Sequence, residues 1–177
     1  MLRPVLIGLA AAVLLFVLVV ATRSPTFHVE RSIAMAAPPE RVFPHVNDLH
    51  AWNAWSPWEK IDPQMQRTFS GAPAGVGAAY AWAGNGDVGE GRMTITQSTP
   101  SSQIVMRLEF LRPFAATNTA TFTFLPTPSG TTLTWAMDGP KNFFAKALHM
   151  FIDMDEMVGG SFEQGLAALK TIAERGA

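Results

Sequence analysis

The chain has 177 residues, 48% of them hydrophobic and 15% charged, with 13 basic against 14 acidic side chains and a net charge of -1. That length suits one domain plus an extra apolar segment, and the balanced charge leaves no electrostatic footprint for nucleic acid. Cysteine is absent, which excludes disulfides, thiol catalysis and thiolate metal sites together.

Val5 to Ala21 carries no charge and is flanked by Arg3 and Arg23. As a helix it is about 26 Å long, close to the roughly 30 Å of a bilayer's hydrocarbon core. Two readings are open: a retained anchor, or a signal peptide cut after Ala21, with Val19 and Ala21 in the small-residue positions. The run is longer than a usual signal core and the positive segment before it is thin, so retention is expected. The expected organisation is an anchor over residues 1–24 and a domain over 25–177, with the chain crossing the membrane once through residues 5–21. The short stretch ahead of the span favours an inside N-terminus and an extracytoplasmic domain, although Arg23 and Arg31 pull against that orientation.

Phe27 to Met35 alternates as a strand, with Phe27, Val29, Ile33 and Met35 on one face. Ala37-Pro38-Pro39-Glu40 stops it and starts a short helix, interrupted by Pro44. Asp48 to Trp58 follows as a short helical or irregular piece. Period-two patterns then predict strands near Met65–Ser70, Ala78–Ala83, Val88–Gln97, Gln103–Leu111, Ala116–Leu125 and Thr131–Asp138, separated by Gly-, Pro- and Ser-rich turns. Short connections favour an antiparallel meander. From about Lys141 to Ala173, apolar residues recur at helical spacing: Phe144, Leu148, Phe151, Met154, Val158, Phe162, Leu166, Leu169 and Ala173. One long amphipathic helix is expected, wrapped by a curved seven-stranded sheet.

Alternation assigns the faces of that sheet. Tyr80, Trp82, Met93, Ile95, Ile104, Met106, Leu108 and Phe110 fall on the concave side, with Ala120, Phe122, Phe124, Leu133, Trp135 and Met137. Arg92, Thr94, Arg107, Glu109, Thr119, Thr121, Thr123 and Thr134 fall on the other. An apolar, methionine-rich inner face either fills completely against the helix or leaves a ligand cavity. The same pattern encodes both.

At this point the chain resembles the START-like, Bet v 1-like superfamily, in its polyketide cyclase/dehydrase-like branch. The resemblance runs from Phe27 to Glu174 through VERSIAM, APPERVF, WNAWSPWEKIDP, GVGAAYAWAGNGDVGEGRMTI and FEQGLAALK, in that order. It implies an α+β helix-grip fold, in which the sheet closes on the C-terminal helix around an apolar cavity. It also implies a lipid, sterol or polyketide ligand, with a minority of members catalysing cyclisation or dehydration and some acting as protein partners.

Candidate ligand-binding residues are Trp52, Trp55 and Trp58 at a cavity mouth; Tyr80, Trp82, Met93, Met106, Phe110, Phe122, Trp135 and Met137 on the sheet; and Phe151, Met154 and Val158 on the helix. The tryptophans equally suit a core cap or a membrane-facing rim. Glu90 lies between Gly89 and Gly91, which permit close approach, yet its parity favours an outer-face ion pair. His45, His50 and Asp48 cluster on a short helical segment, and His149, Asp153 and Glu156 run along the last helix; solvation is the default reading for both sets. Arg31 shares parity with Val29 and Ile33 and so points inward to orient a carboxylate or carbonyl, or else lies at a strand end in water. Gly159-Gly160 fits close packing, a kink or helix movement. No phosphate loop, Gly-x-Ser-x-Gly, His-Glu-x-x-His or dinucleotide fingerprint is present, and neither a metal nor a cofactor is expected.

The sequence therefore points to a monomeric, membrane-tethered domain that binds an apolar or amphipathic small molecule, lipid-like or polyketide-like, in a cavity between the sheet and the C-terminal helix. One alternative is a cyclase or dehydratase using Glu90 or His50 as base. The other is an interaction module with a filled core.

Overall fold

A computed structural model describes residues 2–175, and the side chains of all of these except Leu2 and Met154. An apolar helix α1 (Leu2–Ala21) precedes strand β1 (Thr26–Met35), helix α2 (Pro39–Asn47), a 3₁₀ turn (Leu49–Ala54) and the short helix α3 (Trp58–Ile61). Six strands follow in a meander: β2 (Gln66–Gly71), β3 (Ala78–Ala83), β4 (Glu90–Thr99), β5 (Gln103–Arg112), β6 (Ala116–Thr127) and β7 (Gly130–Pro140). Helices α4 (Phe143–Leu148) and α5 (Met154–Glu174) close the chain. The sheet is antiparallel throughout, in the order β1-β7-β6-β5-β4-β3-β2. The long connection from β1 through the small helices places the opening strand beside the last one, with Thr26 opposite Pro140 and Met35 opposite Thr131. This is the helix-grip arrangement.

The inner face holds the side chains that alternation put there: Tyr80, Trp82, Met93, Ile95, Ile104, Met106, Phe122, Phe124, Leu133, Trp135 and Met137 are all buried. On the helix side, Phe162, Leu166, Leu169 and Ala173 are buried against them. Trp135 sits at the centre, stacked on Phe162 at 4.1 Å between ring centroids and on Phe122 at 4.8 Å. The edges of Trp52, Trp55 and Trp58 meet it at 6.0, 5.7 and 5.6 Å. Edge-to-face and offset-stacked rings in this distance range contribute beyond their buried area. Trp52 and Trp55 are fixed from behind, their Nε1 groups donating to the Val46 and His45 carbonyls at 3.0 Å each.

The C-terminal segment departs from the single helix expected over Lys141 to Ala173. It breaks between Leu148 and Met154 because Asp153 caps a new helix, its Oδ1 accepting from the backbone of Asp155 at 3.0 Å and Glu156 at 3.1 Å. Asn142 caps α4 in the same way, accepting from the Ala145 amide at 2.8 Å. The helical phase is therefore not continuous across the break. Phe144 and Phe151, which continuous periodicity assigns to the buried face, are 59% and 78% exposed.

Arg31 ties α5 to β1. Its Nε donates to Glu163 at 2.7 Å, while Nη1 and Nη2 reach the two Asp155 carboxylate oxygens at 3.0 and 2.8 Å. The guanidinium lies flat against the helix where Gly159 stands: a Cβ there would fall 2.2 Å from Nη2. Gly159 thus serves close packing, and the inward-pointing arginine orients carboxylates of its own chain.

Two consequences are measurable. Trp135→Ala removes the ring that five others contact, and urea unfolding of the full chain in mild detergent should show a loss of about 3–5 kcal/mol; a loss of a few tenths would contradict the packed centre. Arg31 holds the Asp155 carboxyl below its ordinary 3.8, chiefly by hydrogen bonding. That stabilisation is present above the ordinary value and drains as pH falls through the folded one. The unfolding midpoints of the wild type and Asp155→Asn should therefore differ at about pH 6 and converge towards about pH 3; a gap independent of pH would exclude the clamp.

Candidate functional site

Topology collects several elements at one end of the sheet: the start of β1, the end of β7, the β5–β6 connection and the segment joining α4 to α5. The Lys141 amide donates to the Pro25 carbonyl at 2.7 Å, pinning the entrance of β1 to the exit of β7. Between these elements lies an open cleft of about 600 Å³. Phe27, Val29, Met150, Phe151 and Ile152 bring apolar side chains to it, while Thr26, His28, Lys141, His149, Asp153 and Asp155 keep its accessible lining mostly polar. Phe27 faces His149 at 6.0 Å between rings.

The polar groups differ in character. His28 Nδ1 lies 2.7 Å from Asp138, and that hydrogen bond raises its pKa. The pKa of His149 is lowered, first by burial and then by Lys141. Asp155 is committed to Arg31 and Asp153 to the helix cap, and Lys141 adds a cation close enough to act on His149. Behind Phe27, Asn118 is buried with its Oδ1 unpartnered among the described residues. Both the Phe27 ring and that oxygen crowd Gly139, where a Cβ would fall 2.5 Å from the ring and 2.2 Å from Oδ1.

A second hollow of about 400 Å³ lies beside the 3₁₀ turn, lined by Leu49, His50, Asn53, Glu59, Pro63, Arg67 and Phe69. His50 stacks on Phe69 at 4.0 Å and its Nδ1 lies 3.0 Å from Asp48. Beneath it, both oxygens of Glu59 are taken, one by Arg67 Nε and one by the Tyr80 hydroxyl, each at 2.6 Å. Burial, then the bond to Glu59, pushes the Tyr80 phenol well above its ordinary value. A carboxylate so occupied and a phenol so held form a structural tie rather than an acid–base pair.

The residues singled out from the sequence separate into groups. Trp52, Trp55, Trp58, Phe122 and Trp135 form the aromatic centre. Tyr80, Trp82 and Phe110 form a second run of rings, Tyr80 to Trp82 at 6.1 Å and Trp82 to Phe110 at 5.9 Å. Met93, Met106 and Met137 are buried in the same core, and Val158 is half-buried against it. Phe151 alone of the set lines the larger cleft, while the Met154 side chain lies outside the described residues. Glu90 pairs with Arg112 at 2.6 Å, and its neighbour Gly91 makes room for the Trp82 indole, which a Cβ there would meet at 2.4 Å. Glu90 and His50 each have their own partner. Among the described residues no group of His, Asp and Glu suits a metal ion.

Sequence reasoning did not select Phe27, Val29, His149, Met150 and Ile152 as lining residues. Parity puts Phe27 and Val29 on the inner face, but the cleft's other wall exists only because the helix breaks, and the Asp153 cap is the signal that marks the break.

Comparison with known proteins bears on the fold. The chain has no match among curated proteins. Among solved structures, protein CV1439 from Chromobacterium violaceum is 19% identical with a TM-score of 0.59, over 85% of this chain and 97% of that one. The Aha1 dimer from Colwellia psychrerythraea is 14% identical with a TM-score of 0.60, over 84% and 96%. The di-domain ARO/CYC StfQ from the steffimycin biosynthetic pathway is 12% identical with a TM-score of 0.61, over 85% of this chain and 51% of that one. These likenesses show the fold, and the model for polyketide cyclase/dehydrase and lipid transport matches residues 26–174. A curved sheet gripping a terminal helix, matched over nearly the whole globular part, makes this chain a member of the polyketide cyclase/dehydrase and lipid transport family.

Proposed function

We propose that this chain is a membrane-tethered domain that binds an apolar or amphipathic small molecule, lipid-like or polyketide-like, in the cleft between the start of β1 and the α4–α5 segment. The observation that carries the reading is the cleft itself, about 600 Å³, where Phe27, Val29 and Ile152 stand beside Lys141 in a mostly polar lining, placed where the chain leaves α1. A ligand's apolar body lies against Phe27, Val29 and Ile152, and its polar end lies towards Lys141. The family description, which pairs cyclases with lipid transport, is consistent with such a ligand. The tether is α1, whose stretch Arg3–Ala21 is long and apolar enough to cross a membrane; retained rather than cleaved, it holds the domain on the extracytoplasmic side.

A second reading, a protein-interaction module with a filled core, draws support from the stacked rings of Trp135, Phe122 and Phe162. Labelling separates the two. In the full chain in lipid nanodiscs, a photoactivatable fatty acid should cross-link to peptides containing Phe27–Val29 and 149–152. Phe151→Asp with Ile152→Asp, both at exposed positions, should cut that labelling about tenfold, the loss expected for one well-buried apolar side chain. Labelling spread evenly over the surface, or unaffected by the pair, would favour the interaction module.

A further inference from the structure

Beside the cleft lies an apolar surface that ligand binding does not use. Helix α4 exposes Phe143 and Phe144, and the end of β5 with the β5–β6 connection exposes Leu111 and Phe114, the last 64% accessible. Phe114 and Phe144 touch, with ring centroids 5.7 Å apart, so the two elements form one continuous patch. Clustered large apolar side chains of this kind are uncommon on a free surface and mark an interaction site.

What covers the patch follows from α1. Most of that helix is exposed, but Val20 near its end is fully buried, because α1 packs on α4. Lys146 of α4 also reaches the Ala21 carbonyl at 3.5 Å. The helix that carries Phe143 and Phe144 is thus the one against which the apolar span ends. Arg23, Lys141 and Lys146 lie at the same end. Of the acids nearby, Asp138 is held by His28, Asp155 and Glu163 by Arg31, Glu90 by Arg112, and Asp153 by the α5 backbone, while Glu156, Glu30 and Asp87 also stand at this end. Aromatic rings flanked by cations match the boundary of an anionic bilayer, where rings sit at headgroup depth and each cation adds attraction.

We infer that Phe114, Phe143 and Phe144 dock the domain onto the bilayer that α1 enters, so that the domain lies against the lipid surface with its cleft at the interface rather than swinging on its tether. The inference rests on the retained tether proposed above.

The absence of cysteine allows single-site labelling. Phe114→Cys, Phe144→Cys and, at the far end of β6, Leu125→Cys are each coupled to an environment-sensitive dye in the full chain, reconstituted in vesicles of phosphatidylcholine and phosphatidylglycerol. Lipids spin-labelled near the headgroup should quench positions 114 and 144 at least about twofold more than 125, as expected for insertion of about 5–10 Å. Phe143→Asp should reduce that difference in the Phe114→Cys protein, with an unchanged thermal midpoint showing that the fold is intact. Quenching of 114 and 144 by aqueous iodide as strongly as 125 overturns the docking. Protection from both quenchers overturns it as well, in favour of a second copy or a protein partner. Loss of the chain from the vesicles in an alkaline wash defeats tether and docking together, whereas retention with iodide-exposed labels defeats docking alone.

Discussion

The packing of Trp135 between Phe122 and Phe162 is the interaction on which the rest of the structure depends. It joins β6, β7 and α5 at one point, and the three tryptophans of the segment after α2 close around it. Gly165 completes the fit, since a Cβ there would stand 3.0 Å from the Trp135 ring. The packing has a cost. The Trp135 Nε1 group is buried without a hydrogen-bonding partner among the described residues, a penalty of about 1–3 kcal/mol that the ring contacts must exceed. An aromatic centre this dense sets the spacing of helix and sheet.

Neither of the two hollows is lined by the rings of this aromatic centre. The larger cleft exists because α5 begins late: Asp153 starts a new helix, the preceding residues loop outward, and Arg31 holds the first turns of α5 against β1 through Asp155 and Glu163. The cap, the clamp and the glycine that receives the guanidinium form one device, which keeps helix and sheet together at the very end where the cleft opens. The same end receives α1, so the cleft, the apolar helix and the exposed phenylalanines share one pole of the domain.

Much of this was legible in the sequence. Every strand was readable from alternation, and the inner-face residues from Tyr80 to Met137 were assigned correctly because a sheet with one buried face has no freedom of register. The break in the C-terminal helix was not foreseen, because apolar residues at Phe144, Leu148, Phe151 and Met154 keep helical spacing straight through it, and one aspartate decides against them. Filled core and cavity also read alike, since alternation reports which side chains face inward and not whether their volumes add up. Arg31 illustrates the difference: its inward parity was visible, but its partners stand more than a hundred residues away on another element.

A closed aromatic centre would leave the proposed ligand space at the rim. An experimental structure of the protein under xenon pressure tests it most directly, since xenon enters apolar voids within a packed interior. No xenon should enter between the sheet and α5 around Trp135 and Phe162. A well-occupied xenon site there would contradict it and return the ligand to the heart of the grip.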